Sequence, residues 1–137
     1  MIRCLSFICC LFFSIMASAQ LTVEIRQLDG AKGNMFMAVY NSADSFLDES
    51  QALRTEKVPI QTSDFSFTFS DLPAGDYAIA VFQDVNGNDQ LDKGMFGIPK
   101  EPYGFSNDAR GSFGPPSYEQ ARFSYSGQKQ SIRIQLR

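Results

Sequence analysis

The chain has 137 residues, with 12 basic and 15 acidic side chains, no histidine, and a formal charge of −3 at pH 7. With no basic patch in the sequence, that balance argues against nucleic acid as a partner. The length suits one domain with a core of its own, and all three cysteines, Cys4, Cys9 and Cys10, stand near the N-terminus.

The first residues read as a targeting segment. Met1-Ile-Arg3 is a short positive n-region, Leu5 to Met16 is apolar, and Ala17-Ser-Ala19 is a small-residue cleavage signal. Cleavage after Ala19 would make 1–19 a signal peptide and leave 20–137 as the mature domain, starting at Gln20. The apolar run falls short of the about 20 residues that span a bilayer, and no cysteine follows the site to carry a lipid. We therefore expect an exported protein, periplasmic or extracellular, with no transmembrane segment after cleavage. Loss of the segment removes every cysteine, so the mature chain can form no disulfide, and loss of Arg3 makes it one unit more acidic.

Leu21 to Leu28 alternates apolar and polar residues, as a half-buried strand does, with Leu21, Val23 and Ile25 facing inward. Asp29-Gly-Ala-Lys-Gly33 is a turn cluster. Asn34 to Asn41 is apolar on both faces (Met35, Phe36, Met37, Val39, Tyr40), which suits a central strand. Ser42 to Leu53 is the one plausible helix, capped by Ser42 and one or two turns long at most. Lys57-Val-Pro-Ile60 reads as a short edge piece, because Pro59 cannot donate to a ladder. Asp64 to Asp71 alternates strictly, with Phe65, Phe67 and Phe69 on one face. After the turn Leu72-Pro-Ala-Gly75, the strand Asp76 to Gln83 delivers Asp84. Glu119 to Ser126 reads as a strand with Ala121, Phe123 and Tyr125 inward, and Gln128 to Arg137 closes the chain with Ile132, Ile134 and Leu136 alternating. Seven short strands separated by turns indicate an all-β fold, a single antiparallel β-sandwich with Greek-key connections.

Asp84-Val-Asn-Gly-Asn-Asp-Gln-Leu-Asp92 is a candidate calcium loop. Side chains of Asp84, Asn86, Asn88 and Asp92 with the carbonyl of Gln90 give five oxygen ligands, against the six to eight that calcium takes. Waters, Glu101 or Asp108 would have to complete the shell. Met95 stands where an EF-hand loop carries its bidentate Glu. The same residues also read as a hairpin with Asn86-Gly87 in a type I′ turn, the Asx side chains satisfying their own backbone.

Gly94 to Tyr118 holds five glycines and four prolines together with Phe96, Tyr103, Phe105, Phe113 and Tyr118. Loops of this length are uncommon unless functional or disordered, and the aromatics argue against disorder. Those five aromatics are the candidate ligand-binding residues, a recognition surface for a glycan, a peptide or another envelope protein. The competing reading has them packed down as a lid over a sheet edge.

Three segments together carry a resemblance: Leu72-Pro-Ala-Gly-Asp-Tyr through Asp92, Phe96-Gly-Ile-Pro-Lys-Glu-Pro-Tyr-Gly-Phe-Ser-Asn107, and Ala109-Arg-Gly-Ser-Phe-Gly-Pro-Pro-Ser-Tyr-Glu-Gln-Ala121. The chain resembles the DUF2141 family of secreted bacterial proteins over essentially its whole mature length. The resemblance implies a prealbumin/Ig-like sandwich and an extracytoplasmic location, and it brings no established activity with it. The family pattern has Gly where this chain has Asp89.

Catalysis finds little in these residues. The mature chain would lack both His and Cys, the commonest base and a common nucleophile. The serines have no evident activating base, and a sandwich of this size leaves little room for paired carboxylates across a sugar cleft. The expectation is a non-enzymatic binding module with calcium as its one candidate cofactor. The alternatives are a purely structural or accessory domain and a small hydrolase.

Overall fold

The computed structural model describes residues 18–137, so the expected signal peptide lies almost wholly outside the described residues. Eight strands form two sheets, mostly antiparallel: β1 Leu21–Arg26, β2 Asn34–Tyr40, β3 Arg54–Pro59, β4 Phe65–Phe69, β5 Gly75–Asp84, β6 Tyr103–Phe105, β7 Phe123–Tyr125 and β8 Gln130–Gln135. The smaller sheet runs β4-β1-β8. The larger runs β3-β2-β5-β6, with β7 also pairing β5. One pair, β1 with β8, is parallel. Among the described residues no helix is long and apolar enough to cross a membrane.

The alternating pattern sets the layers, because successive side chains of a strand point to opposite faces. Leu21, Val23 and Ile25 of β1 meet Met35, Met37 and Val39 of β2 and Tyr77, Ile79 and Val81 of β5 in the space between the sheets, with Phe65, Phe69, Ile134 and Leu136 filling the flanks. Gln83 continues the inward row of β5 and is fully buried. Its amide accepts from the Asp29 N–H at 2.7 Å and donates to the carbonyls of Asp29, Gly30 and Lys32, so a core side chain organises the turn before β2.

Among the described residues the sandwich is closed along one side only. Tyr103 and Arg137 exchange backbone hydrogen bonds at 3.2 and 3.0 Å, joining β6 to the end of the chain after β8. Gly104 permits this approach, since a Cβ there would sit 2.8 Å from the Gln135 carbonyl oxygen. The opposite side ends in the open edges of β3 and β4.

Three sequence expectations change. Ser42 to Leu53 holds a single helical turn, and that turn is a 3₁₀ turn over Glu49–Gln51 capped by Asp48 rather than an α-helical one capped by Ser42, the rest being a series of turns. Leu47 takes a left-handed φ of 68°, which no helix continues through. Glu119 to Ser126 is not one strand. Ser117 and Gln120 form a capping box over the helical turn Tyr118–Ala121, leaving only Phe123–Tyr125 extended. The strand count is eight rather than seven because β6 lies inside the long segment read as loop, paired Ala80 to Phe105 and Phe82 to Tyr103.

Candidate functional site

The loop after β5 is held by its own side chains. Asp84 is fully buried, and its carboxylate accepts from the N–H of Gly87 at 3.0 Å and of Asp89 at 2.9 Å. The amide oxygen of Asn86 accepts from Asn88 N–H, and that of Asn88 from Gln90 N–H. Both amides donate to Asp92, at 2.5 and 2.7 Å, so the third and fifth positions converge on the last. Gly87 takes φ 74° and Asp89 φ 62°, whereas Asn86 is not left-handed; a type I′ turn at Asn86-Gly87, which needs both residues left-handed, is therefore not formed. Asp89 stands where the resembled pattern has Gly, adopts the conformation glycine favours, and pairs with Lys57 Nζ at 2.7 Å.

Glu101 closes the loop. It is buried, and its two carboxylate oxygens accept from Val85 N–H at 3.0 Å and Asp92 N–H at 3.1 Å. Both oxygens thus tie the loop's start to its end. Asp108 is engaged elsewhere, accepting from the Gln135 N–H. Among the described residues no group of three or more His, Cys, Asp or Glu is placed to hold a metal. The oxygen set at hand is two carboxylates, two amides and the Gln90 carbonyl, the chemistry of a weak site for a hard cation.

The long segment divides into a packed half and a free half. Phe105 and Tyr118 are buried with Ala78, Ala109 and Ala121 in a second apolar cluster on the outer face of the larger sheet, against which Phe46 and Tyr103 also pack. The Ser106 hydroxyl fixes this cover, accepting from Ile79 N–H and donating to the Ala121 carbonyl. Phe96 and Phe113 point into solvent, the first 94% exposed, and Met95 and Ile98 stand beside them at 80% and 63%.

Between the halves lies a trough across the strands. Its floor is the row Thr55, Ala38 and Ala80, side by side on β3, β2 and β5. One wall is the row Phe36, Phe82 and Tyr103, with the rings of Phe36 and Phe82 stacked 4.9 Å apart. The other wall begins at Tyr40, four residues along β2, which at about 3.4 Å per residue sets the walls about 14 Å apart between backbones. Phe96, Ile98 and Phe113 border the opening, and the space amounts to about 700 Å³, within the range of ligand sites. Burial raises the Tyr40 phenol above its usual pKa, and the carboxylates of Glu49 and Asp48 add to the shift.

Of the expected ligand-binding aromatics, Phe96, Tyr103, Phe105 and Phe113 all line this trough, whereas Tyr118 lies under the cover. Sequence reasoning missed Phe36, Ala38, Ala80 and Phe82. Their signal was present: a strand apolar on both faces needs a second cover, and here that cover is incomplete.

Residues 23–133 match the family described as an uncharacterized protein conserved in bacteria, DUF2141. The chain belongs to the DUF2141 family. The three segments that carried the resemblance are, in this member, the β5 strand with its closed loop, the border of the trough, and the helical cover. Comparison with curated proteins and with solved structures found no match.

Proposed function

We propose that this DUF2141 protein is an exported, non-enzymatic binding module that takes an apolar segment of another envelope protein in the trough on the outer face of its larger sheet. The observation that carries the reading is the set of exposed apolar side chains, Phe96, Ile98 and Phe113, gathered around one apolar floor. Contiguous exposed apolar surface is uncommon without an interaction to use it. The lining sets aromatic and aliphatic carbon beside the polar groups of Glu49, Asp89, Gln90 and Lys93, which suits a peptide that brings apolar side chains and a polar backbone. The test is binding to an apolar peptide library and to a glycan array by wild type and by Phe96→Ser/Phe113→Ser. Peptide binding weakened about tenfold or more in the double variant supports the reading. Glycan binding alone, or equal binding by both proteins, overturns it and leaves an accessory domain whose long loop is only a cover.

The same proposal assigns a structural calcium ion to the loop from Asp84 to Asp92. Its support is the convergence of Asn86 and Asn88 on Asp92 in a loop whose turn is fixed by the Asp84 carboxylate. An ion that binds only the folded state adds about 2.7 kcal/mol at a hundredfold excess over Kd. Calcium should therefore raise the melting temperature, magnesium less so, and Asp84→Ala should abolish the effect. Identical melts with calcium and with chelator would mean that the Asx hydrogen bonds alone hold the loop.

A further inference from the structure

The open side of the sandwich presents two strand edges of different character. β3 carries Arg54, Glu56, Lys57 and Pro59, the charges and proline that discourage strand addition. β4 is Phe65-Ser-Phe-Thr-Phe69, with no charge, no proline and a strict alternation. The third candidate edge, β8, is covered at its C-terminal end, where Asp108 accepts from Gln135 N–H and Tyr103 pairs with Arg137, and carries the charge of Arg133 along the rest.

The hydrogen-bonding parity of β4 follows from its neighbours. Gln20 and Arg26 turn their carbonyls toward β8, accepting from Gln130 and Leu136. The even residues of β1 therefore face β8, and Leu21, Val23 and Ile25 face β4, opposite Phe69, Phe67 and Phe65. Those phenylalanines spend their backbone groups on β1. Ser66 and Thr68 turn theirs outward, and among the described residues neither backbone has a further partner. Phe67 is the one phenylalanine of the row that is only half-buried.

We infer that β4 is a homodimerisation edge, at which a second copy of this chain adds antiparallel about a two-fold axis through Phe67. The segment reads the same pattern in both directions, so the register is self-complementary. Ser66 of one copy faces Thr68 of the other, and Thr68 faces Ser66. Each such pair exchanges two backbone hydrogen bonds, four in all. Phe67 meets Phe67 at the axis in a non-hydrogen-bonded pair, where side chains approach most closely, and its exposed ring edge is covered. Asp64 lies opposite Ser70, so no like charges are brought together. The two three-stranded sheets become one sheet of six strands, and the contact is isologous, as a closed dimer requires.

Sedimentation equilibrium of the purified protein tests this. We expect a dimer that dissociates on dilution. Thr68→Pro removes the outward N–H together with the exposed hydroxyl bond from Thr68 to Thr22 at 2.9 Å, leaves the backbone bonds to β1, and should raise the dimer dissociation constant about tenfold or more, since one hydrogen bond across the edge is lost from each copy. Thr68→Lys, which keeps the backbone free, should also weaken the dimer through its charge on the edge. In a background with Cys4, Cys9 and Cys10 changed to Ser, Phe67→Cys should form an intermolecular disulfide on mild oxidation, whereas Ser66→Cys should not, because Ser66 faces Thr68 and not itself. A monomer at every concentration, or a dimer indifferent to both Thr68 variants, overturns the inference. So does cross-linking of Ser66→Cys in preference to Phe67→Cys.

Discussion

Replacing Glu101 by Ala removes the carboxylate that joins the two ends of the loop after β5. Two bonds are lost at once, from Val85 N–H at 3.0 Å and from Asp92 N–H at 3.1 Å. A hydrogen bond to a charged group contributes about 1.5–3 kcal/mol. Both amides lie where the loop meets solvent, and water can recover part of that, so we expect a loss of about 2–4 kcal/mol. For a domain of this size, 1 kcal/mol moves the melting temperature by roughly 3–6 °C, which places the expected drop at roughly 6–24 °C. Glu101→Gln should fall between wild type and Ala, because its amide keeps one acceptor oxygen and presents an N–H₂ to the other amide. Glu119→Ala serves as the control. Glu119 pairs with Arg122 at 3.1 Å on an exposed surface, where such pairs contribute at most about 1 kcal/mol. Thermal melts followed by circular dichroism give the stability, and hydrogen exchange at Val85 and Asp92 locates the effect. A Glu101→Ala melt within a degree or so of the control would show that the loop is closed by its Asx bonds alone, and the reasoning would fail.

Gly33→Ala should be among the most damaging single changes, because a Cβ at that position would lie 2.0 Å from the carbonyl oxygen of Asp84 and φ is 73°. Left-handed strain and a forced backbone shift together suggest about 3 kcal/mol or more. Gly30→Ala, at φ 70° with open space around it, should cost only about 1 kcal/mol in chemical denaturation, so similar losses in the two would refute the steric argument. Burial raises the phenol pKa values of Tyr40, Tyr77 and Tyr118 above 10.0. The unfolded chain therefore ionises first: stability is fully present below pH about 10 and is lost as pH rises through the higher folded values. Denaturation midpoints that stay flat through that range, alongside phenolate absorbance, would contradict this. Intact-mass measurement of the exported protein should give an N-terminus at Gln20; retention of residues 1–19 would refute cleavage after Ala19.

Much of the architecture was legible in the residues themselves. Period-two alternation in Leu21–Arg26, Phe65–Phe69 and Gln130–Gln135 marks half-buried strands whatever their partners, because the pleat sends alternate side chains to opposite faces. The Asx-rich run from Asp84 to Asp92 likewise marks a loop, as an ion site or as a turn whose side chains serve its own backbone. What the sequence could not declare is which segments meet. β6 is three residues long, and it is a strand only because β5 offers Ala80 and Phe82 as partners. Ser42 to Leu53 has residues a helix could use, yet the space beside Tyr40 takes Phe46 from a turn. Glu101 stands nine residues beyond Asp92, and its role depends on a chain reversal, with Lys100 N–H bonding back to the Asp92 carbonyl. The trough is likewise a tertiary product. Ala38 and Ala80 become a floor only when strands distant in sequence are set in register, and the aromatics around them divide into cover and rim according to where the helical turn at Tyr118 comes to rest. Local alternation is a property of one strand and can be read along the chain, whereas a cavity is a property of several, fixed by long-range packing that no short window contains.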